Sequence, residues 1–227
     1  MTFASTRRRL RASLVKSAGT IVFGMEDGTV SIFGLIFGVA ATTNNTATVV
    51  IAGASGAVAA AVSMMAGAYL DAETTRDAAA AKQTPLLHAD PAALPGELAA
   101  AGLSEEQSAA LTKAVEHDPT ALRGLLLALN RPADAPESPW EQALWMLVAD
   151  FAAAAVPILP FVWLPVPQAR IVSAAVTLLL LVVLGVGRAR IAKRNVLRTV
   201  AETVAIGIAA ALAGVLIGVL VNRGFSG

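Results

Sequence analysis

The sequence holds no cysteine and only two histidines, His88 and His117. Without thiols there can be no disulfide scaffold, no thiolate metal site and no Cys nucleophile. Two histidines leave little material for a His-rich zinc site or a His-based catalytic triad. Charge is scarce as well, at 15% of 227 residues, where an ordinary soluble domain carries about a quarter. The 17 basic and 16 acidic residues nearly cancel, to a net +1, so nothing in the bulk charge draws the chain to nucleic acid. Hydrophobic residues, by contrast, make up 56% of the chain. The class that remains is an all-α, polytopic membrane protein.

A bilayer-crossing helix needs about 20 mostly apolar residues. Five stretches meet that requirement, at 18–43, 46–70, 143–163, 171–187 and 200–222, the fourth being short and open to extension into Arg188. The basic start MTFASTRRRLRASLVKSAG shows no signal-peptide cleavage site and leads into a span too long for a signal h-region. It reads as a retained cytoplasmic tail, residues 1–17.

The basic residues set the orientation. Arg7, Arg8, Arg9, Arg11 and Lys16 precede the first span, and Arg188, Arg190, Lys193, Arg194 and Arg198 fall in the linker between the fourth and fifth. Arg76, Lys82, Lys113, Arg123 and Arg131 lie between the second and third. The two alternate linkers, TTNNTAT at 42–48 and LPVPQAR at 164–170, hold only Arg170. Basic loops stay cytoplasmic, which predicts an inside N-terminus and an outside C-terminus, residues 223–227. Trp140, Trp145 and Trp163 read as interface anchors at the two ends of the third span.

Residues 18–70 thus form the first two spans, 143–222 the last three, and 71–142 the only substantial polar segment, a cytoplasmic helical domain. This segment continues the second helix into water through DAETTRDAAAAKQ and is broken by the prolines of TPLLHADPAALP. Three short helices follow. Gly102 ends the first, Ser104 with Gln107 makes a capping box for the second, and Asp118 before Pro119 caps the third. The loop ADAPESP closes the domain before Trp140. Its expected core is Leu103, Ala110, Leu111, Val115, Leu122, Leu125, Leu126 and Leu129. Capping and a solvated helix face account for Ser104, Glu105, Glu106 and His117, so the chain is not read as an enzyme. Asn44-Asn45-Thr46 matches a glycosylation sequon, which a polar turn explains equally well.

Four acidic residues fall inside predicted spans: Glu26, Asp27, Asp150 and Glu202. A carboxyl at mid-membrane costs roughly 3 kcal/mol on insertion scales and usually faces a bundle interior on an ion or proton path. Glu202, near the inner end of its span, is accounted for by an i,i+4 pair with Arg198. Asp150 has no basic neighbour in sequence. Glu26 and Asp27 are adjacent, about 100° apart on a helix, and are not expected to point squarely into one pore. Gly34 and Gly38 form a GxxxG that lets a second helix approach closely. Met64 and Met65 in the second span are either lipid-facing filler or, beside a carboxylate, thioether ligands suited to a borderline or soft divalent cation. The residues by themselves point to a cation or proton pathway.

Two stretches carry a family resemblance. DGTVSIFGLIFGVA at 27–40 resembles the Asp-Gly-Leu-Val-Ser/Thr run of the vacuolar iron transporter family, and GASGAVAAAVSMMAGAYLDAETTRD at 53–77 is similar to its Ser-Met-Ala-x-Gly-Glu-Tyr run. GLSEEQSAALTKAVEHDP and SPWEQALWMLVADFAAAAVPILPF also resemble the family's helical domain and third span. The resemblance implies five spans, a homodimer, and export of Fe²⁺ or Mn²⁺ from the cytoplasm against protons, with no tightly bound cofactor. The family's first-span Asp falls on Asp27 and its second-span Met on Met64. Glu26 and Asp150 join them as candidate metal ligands or proton carriers, either restoring lost membrane charge or altering the ion transported. The family's Gly-Glu-Tyr is here Gly67-Ala68-Tyr69, and its long acidic helix is reduced to Asp71, Glu73, Asp77 and Glu97. Those departures support the alternative, a non-transporting membrane scaffold or regulator of the same fold. The basic tail and Ala-rich composition suit a bacterial plasma membrane.

Overall fold

The computed structural model describes residues 13–14, 17–83, 94–115, 117–129 and 138–225, and among them every regular element is a helix. In chain order these are α1 (Ala18–Ala40), α2 (Thr46–Gln83), α3 (Leu94–Ala100), α4 (Glu105–Val115), α5 (Pro119–Leu129), α6 (Pro139–Ile158), α7 (Pro160–Trp163), α8 (Val166–Ile191) and α9 (Val196–Phe225). Five of them, α1, α2, α6, α8 and α9, are long and apolar enough to cross a membrane. The chain divides into two compact units, one of residues up to Tyr69 and from Trp140 onward, the other of Leu70–Pro139. The expected tail residues Arg7, Arg8, Arg9, Arg11 and Lys16, and most of the 84–93 and 131–137 loops, lie outside the described residues.

The helix ends differ from the apolar stretches because caps, not hydropathy, terminate a helix. Asn45 starts α2, its Oδ1 accepting from the N–H of Ala47 at 2.9 Å and of Thr48 at 3.3 Å. The polar-turn reading of Asn44-Asn45-Thr46 is therefore sufficient. Asn195 starts α9 in the same way, accepting from the N–H of Arg198 at 3.1 Å. Lys193, at φ 51°, sits in the left-handed conformation that closes α8, and the N–H of Arg194 reaches back to the carbonyl of Ala189 at 2.9 Å. The fourth span thus runs to Ile191. Arg188 and Arg190 belong to helix α8 and Arg198 to α9, so the expected basic linker shrinks to a turn holding Lys193 and Arg194. The third span begins at Pro139 and breaks after Ile158, where Pro157 and Pro160 remove two backbone donors. Ser173 on α8 donates to the carbonyl of Pro157 at 2.8 Å.

The first unit packs around Ile32, Ile36 and Ala40 of α1, which meet Val49 and Ala57 of α2, Ala154 and Ile158 of α6, Phe161 of α7, and Val166 and Ala169 of α8. On another side, α1 crosses α9 at glycines. A methyl on Gly34 would stand 2.9 Å from the carbonyl oxygen of Ala210, and one on Gly38 would stand 2.7 Å from that of Gly214. Gly214 and Gly218 return the contact to Gly34 and Gly38, so two GxxxG motifs interlock within one chain. The Gly34–Gly38 motif is therefore occupied by α9 and is no argument for dimerisation. Arg170 donates to the carbonyl of Ala40, satisfying an acceptor freed at the end of α1. Large apolar side chains such as Ile171, Leu179, Leu212 and Leu216 face outward along α8 and α9, as a lipid-solvated surface requires. Trp140 and Trp163 are exposed near the two ends of the third span, and Trp145 donates from Nε1 to Ser13 at 2.9 Å.

In the second unit, Ser104 and Gln107 form the expected reciprocal capping box at 3.0 and 3.3 Å. Asp118 Oδ1 accepts from the N–H groups of Thr120 and Ala121 at 2.9 and 3.0 Å. Gly102, at φ +89°, ends α3 in a Schellman turn, with Leu103 bonded to Leu98 and Gly102 to Ala99. The core is Leu94, Leu98, Leu122 and Leu126, flanked by Leu103, Val115, Leu125 and Leu129. Ala110 and Leu111 of the expected core are exposed instead. Leu103 in the turn before α4 and Val115 at its last position reach the core, and Leu94 and Leu98 of α3 are buried in it.

Candidate functional site

Helix α1 carries Glu26 and Asp27 eight residues from its start, about 12 Å along its axis. Gly24 and Gly28, on the side facing α6, bring the two backbones together. A methyl on Gly24 would stand 2.7 Å from the Met146 sulfur, and one on Gly28 would overlap the Asp150 carbonyl oxygen and stand 2.8 Å from its Oδ1. Only glycine fits there.

That close approach seats Asp150 against the turn of α1 that holds Asp27. Asp150 is 0% exposed, and neither of its carboxyl oxygens has a hydrogen-bond partner among the described residues. Buried polar atoms are almost always paired, so an exception of this kind calls for an explanation.

Glu26 turns the other way. Its Oε2 forms an ion pair with Nη1 of Arg188 on α8 at 3.2 Å, and its Oε1 accepts from the hydroxyl of Thr203 on α9 at 3.1 Å. Glu26, Asp27, Arg188 and Thr203 all line one cavity of about 400 Å³, whose remaining wall includes the apolar side chains of Val22, Phe23, Val30 and Ile206. Adjacent positions on α1 were not expected to share a pore. They do share this cavity, because it is wide enough to span both. Its lining residues Gly19, Ile191 and Ala192 place it toward the start of α1 and the end of α8. That is the end of the bundle where Lys193 and Arg194 form the basic turn.

Glu202 behaves as its spacing predicts. It accepts from Arg198 at 3.0 Å and lies 3.8 Å from Arg194, with its side chain 36% exposed. Met64 is half-buried on α2 and is not among the residues lining the cavity. Ala68, which stands where the family resemblance has Glu, is buried on the same helix. Asp71, Glu73 and Asp77 are exposed. Of the four candidate ligands, the structure gathers Glu26, Asp27 and Asp150 around one turn of α1 and leaves Met64 apart. Among the described residues, no group of three or more His, Cys, Asp or Glu side chains is close enough to hold a metal ion. Arg188 was read in the sequence only as a linker charge, and Thr203 went unnoticed. The signal for Thr203 was a Thr199/Thr203 pair, spaced four apart and buried, on an otherwise apolar helix.

The sequence model of the VIT family matches residues 18–219, nearly the whole chain. The chain belongs to the vacuolar iron transporter family. Members of that family are membrane metal transporters rather than enzymes, in keeping with five apolar helices and carboxyls turned inward. No match among curated proteins was found.

Proposed function

We propose that this VIT-family protein exports a divalent metal, Fe²⁺ or Mn²⁺, from the cytoplasm in exchange for protons. The observation that carries the reading is the placement of Asp27, Glu26 and Asp150 around a single turn of α1, with Asp27 and Glu26 open to a cavity and Asp150 sealed behind Gly28. Metal ligands must be deprotonated to bind, so one set of carboxyls can carry either cation or protons. The cavity lies at the basic end of the bundle. With basic segments on the inside, that end is cytoplasmic, the N-terminus is inside and the C-terminus outside, in a bacterial plasma membrane. The cavity is then the entry for export.

Asp27 binds and releases the cation, with Glu26 and Asp150 as supporting ligands or proton carriers. Met64, outside the cavity of one chain, is kept as the candidate thioether that favours Fe²⁺ over Mg²⁺. The homodimer implied by the resemblance belongs to the same reading. The test is Fe²⁺ and Mn²⁺ flux into proteoliposomes with and without a pH gradient, alongside Asp27→Asn. Gradient-dependent uptake that Asp27→Asn abolishes without loss of assembly supports the reading. Full flux in the variant would remove Asp27 from the pathway.

The alternative, a non-transporting scaffold of the same fold, is favoured by one observation. No acidic cluster able to hold a metal forms among the described residues of one chain, and Ala68 stands at the family's Glu position. That reading predicts no saturable metal binding by the purified protein.

A further inference from the structure

The reading above leaves Arg188 unused, although it lines the same cavity as Glu26 and Asp27 and pairs with Glu26. Its guanidinium meets Glu26 through a single nitrogen at 3.2 Å, longer than the 2.7–2.9 Å common for charge-assisted bonds and without the two-pronged geometry that makes arginine pairs strong. Its side chain is 40% exposed, while that of Glu26 is 13% exposed. Arg188 can therefore swing into water at little cost, whereas Glu26 cannot leave the cavity. The opposite oxygen of Glu26 is held by Thr203 on α9, so the carboxylate stays in place when its partner departs. The pair also bridges α1 to α8 near the open end of the cavity.

We propose that Arg188 is a tethered competitor for Glu26, a built-in cation that an incoming metal ion must displace, and that it thereby sets the threshold for metal binding in the cavity. The proposal rests on the transport reading above. Charge arithmetic gives the direction. Glu26 and Asp27 with Arg188 amount to −1. A divalent ion bound beside a retained guanidinium leaves +1 in a largely apolar cavity, whereas a divalent ion that displaces the guanidinium leaves zero. Arg188 therefore raises the threshold for the metal without touching it. It is a positioning residue, acting through Glu26.

The test is equilibrium Mn²⁺ binding to the purified full-length protein, read by the loss of the free-ion paramagnetic signal. Arg188→Gln removes the competitor and should tighten Mn²⁺ binding about fivefold, in line with the loss of a partly exposed ion pair. Arg188→Lys keeps the charge and should behave as the parent, which guards against a misfolded Gln variant. In Glu26→Gln/Arg188→Gln the tightening should vanish, because the displaced ligand is gone. Binding in Arg188→Gln that is unchanged or weaker, with folded protein, overturns the proposal and leaves the transport reading intact. Mn²⁺ binding by neither the parent nor Arg188→Gln overturns both together. Binding that appears only in Arg188→Gln upholds the competitor and shows that it blocks the cavity in the parent.

Discussion

Replacing Asp150 by alanine should stabilise the protein and abolish its transport. The side chain is 0% exposed, and both carboxyl oxygens lack a partner among the described residues. A buried acceptor without a partner costs about 1–3 kcal/mol. Truncation to Ala removes that cost and leaves a void of about 30 Å³, which at roughly 24 cal/mol per Å³ returns about 0.7 kcal/mol. The balance is a gain of about 0.3–2.3 kcal/mol. For a chain of this size it corresponds to a rise of about 1–9 °C in the thermal midpoint. The assay is thermal unfolding in detergent, followed by the fraction that remains monodisperse, with proteoliposome flux measured on the same preparation. The combination of higher midpoint and lost flux is the signature of a functional group kept against the interest of stability. A midpoint that falls by several degrees would refute the reasoning. It would mean that the Asp150 carboxyl is an acceptor tying α6 to α1, a structural role.

Two further substitutions bracket the site. Gly28→Ala places a methyl into the Asp150 carbonyl oxygen, a backbone atom that cannot rotate away; it should destabilise by about 1–3 kcal/mol and lower the thermal midpoint, whereas Gly19→Ala on the same helix, with nothing within 4 Å, should not. Glu202→Gln loses two ion pairs in which all three side chains are at least 36% exposed, so its midpoint should stay within the change of about 0.5 kcal/mol usual for surface sites, with flux unaltered.

The five spans were legible because hydropathy reports on the solvent around a helix, and the caps of the second unit were legible because Ser104, Gln107 and Asp118 act within three residues of themselves. Helix ends were less so. The apolar stretch 46–70 says where lipid ends, not where hydrogen bonding ends, and α2 continues to Gln83 with polar side chains. The core of the second unit was misjudged for a related reason. The expected core took in Ala110 and Leu111, which α4 turns outward, and overlooked Leu94, at the end of a proline-rich run that reads as a break, and Leu98 in the first short helix.

At the site, sequence reasoning found the carboxyls and missed their environment. A carboxyl inside an apolar run is conspicuous one residue at a time, because the cost of burying it is local. Its partner is not local. Arg188 lies 162 positions from Glu26 and Thr203 lies 177, and each has a sufficient explanation in its own neighbourhood, one as a loop charge and the other as an unremarked hydroxyl. The glycines illustrate the converse. Gly34 and Gly38 announced a close helix crossing, but a motif that permits contact does not name the helix it contacts. The answer lay in Gly214 and Gly218, which repeat the same spacing near the far end of the chain. Two matched motifs in one membrane protein are more economically satisfied by each other than by a second copy, since the loop-closure cost is already met by the intervening spans. That face of α1 is therefore closed to a second copy by α9.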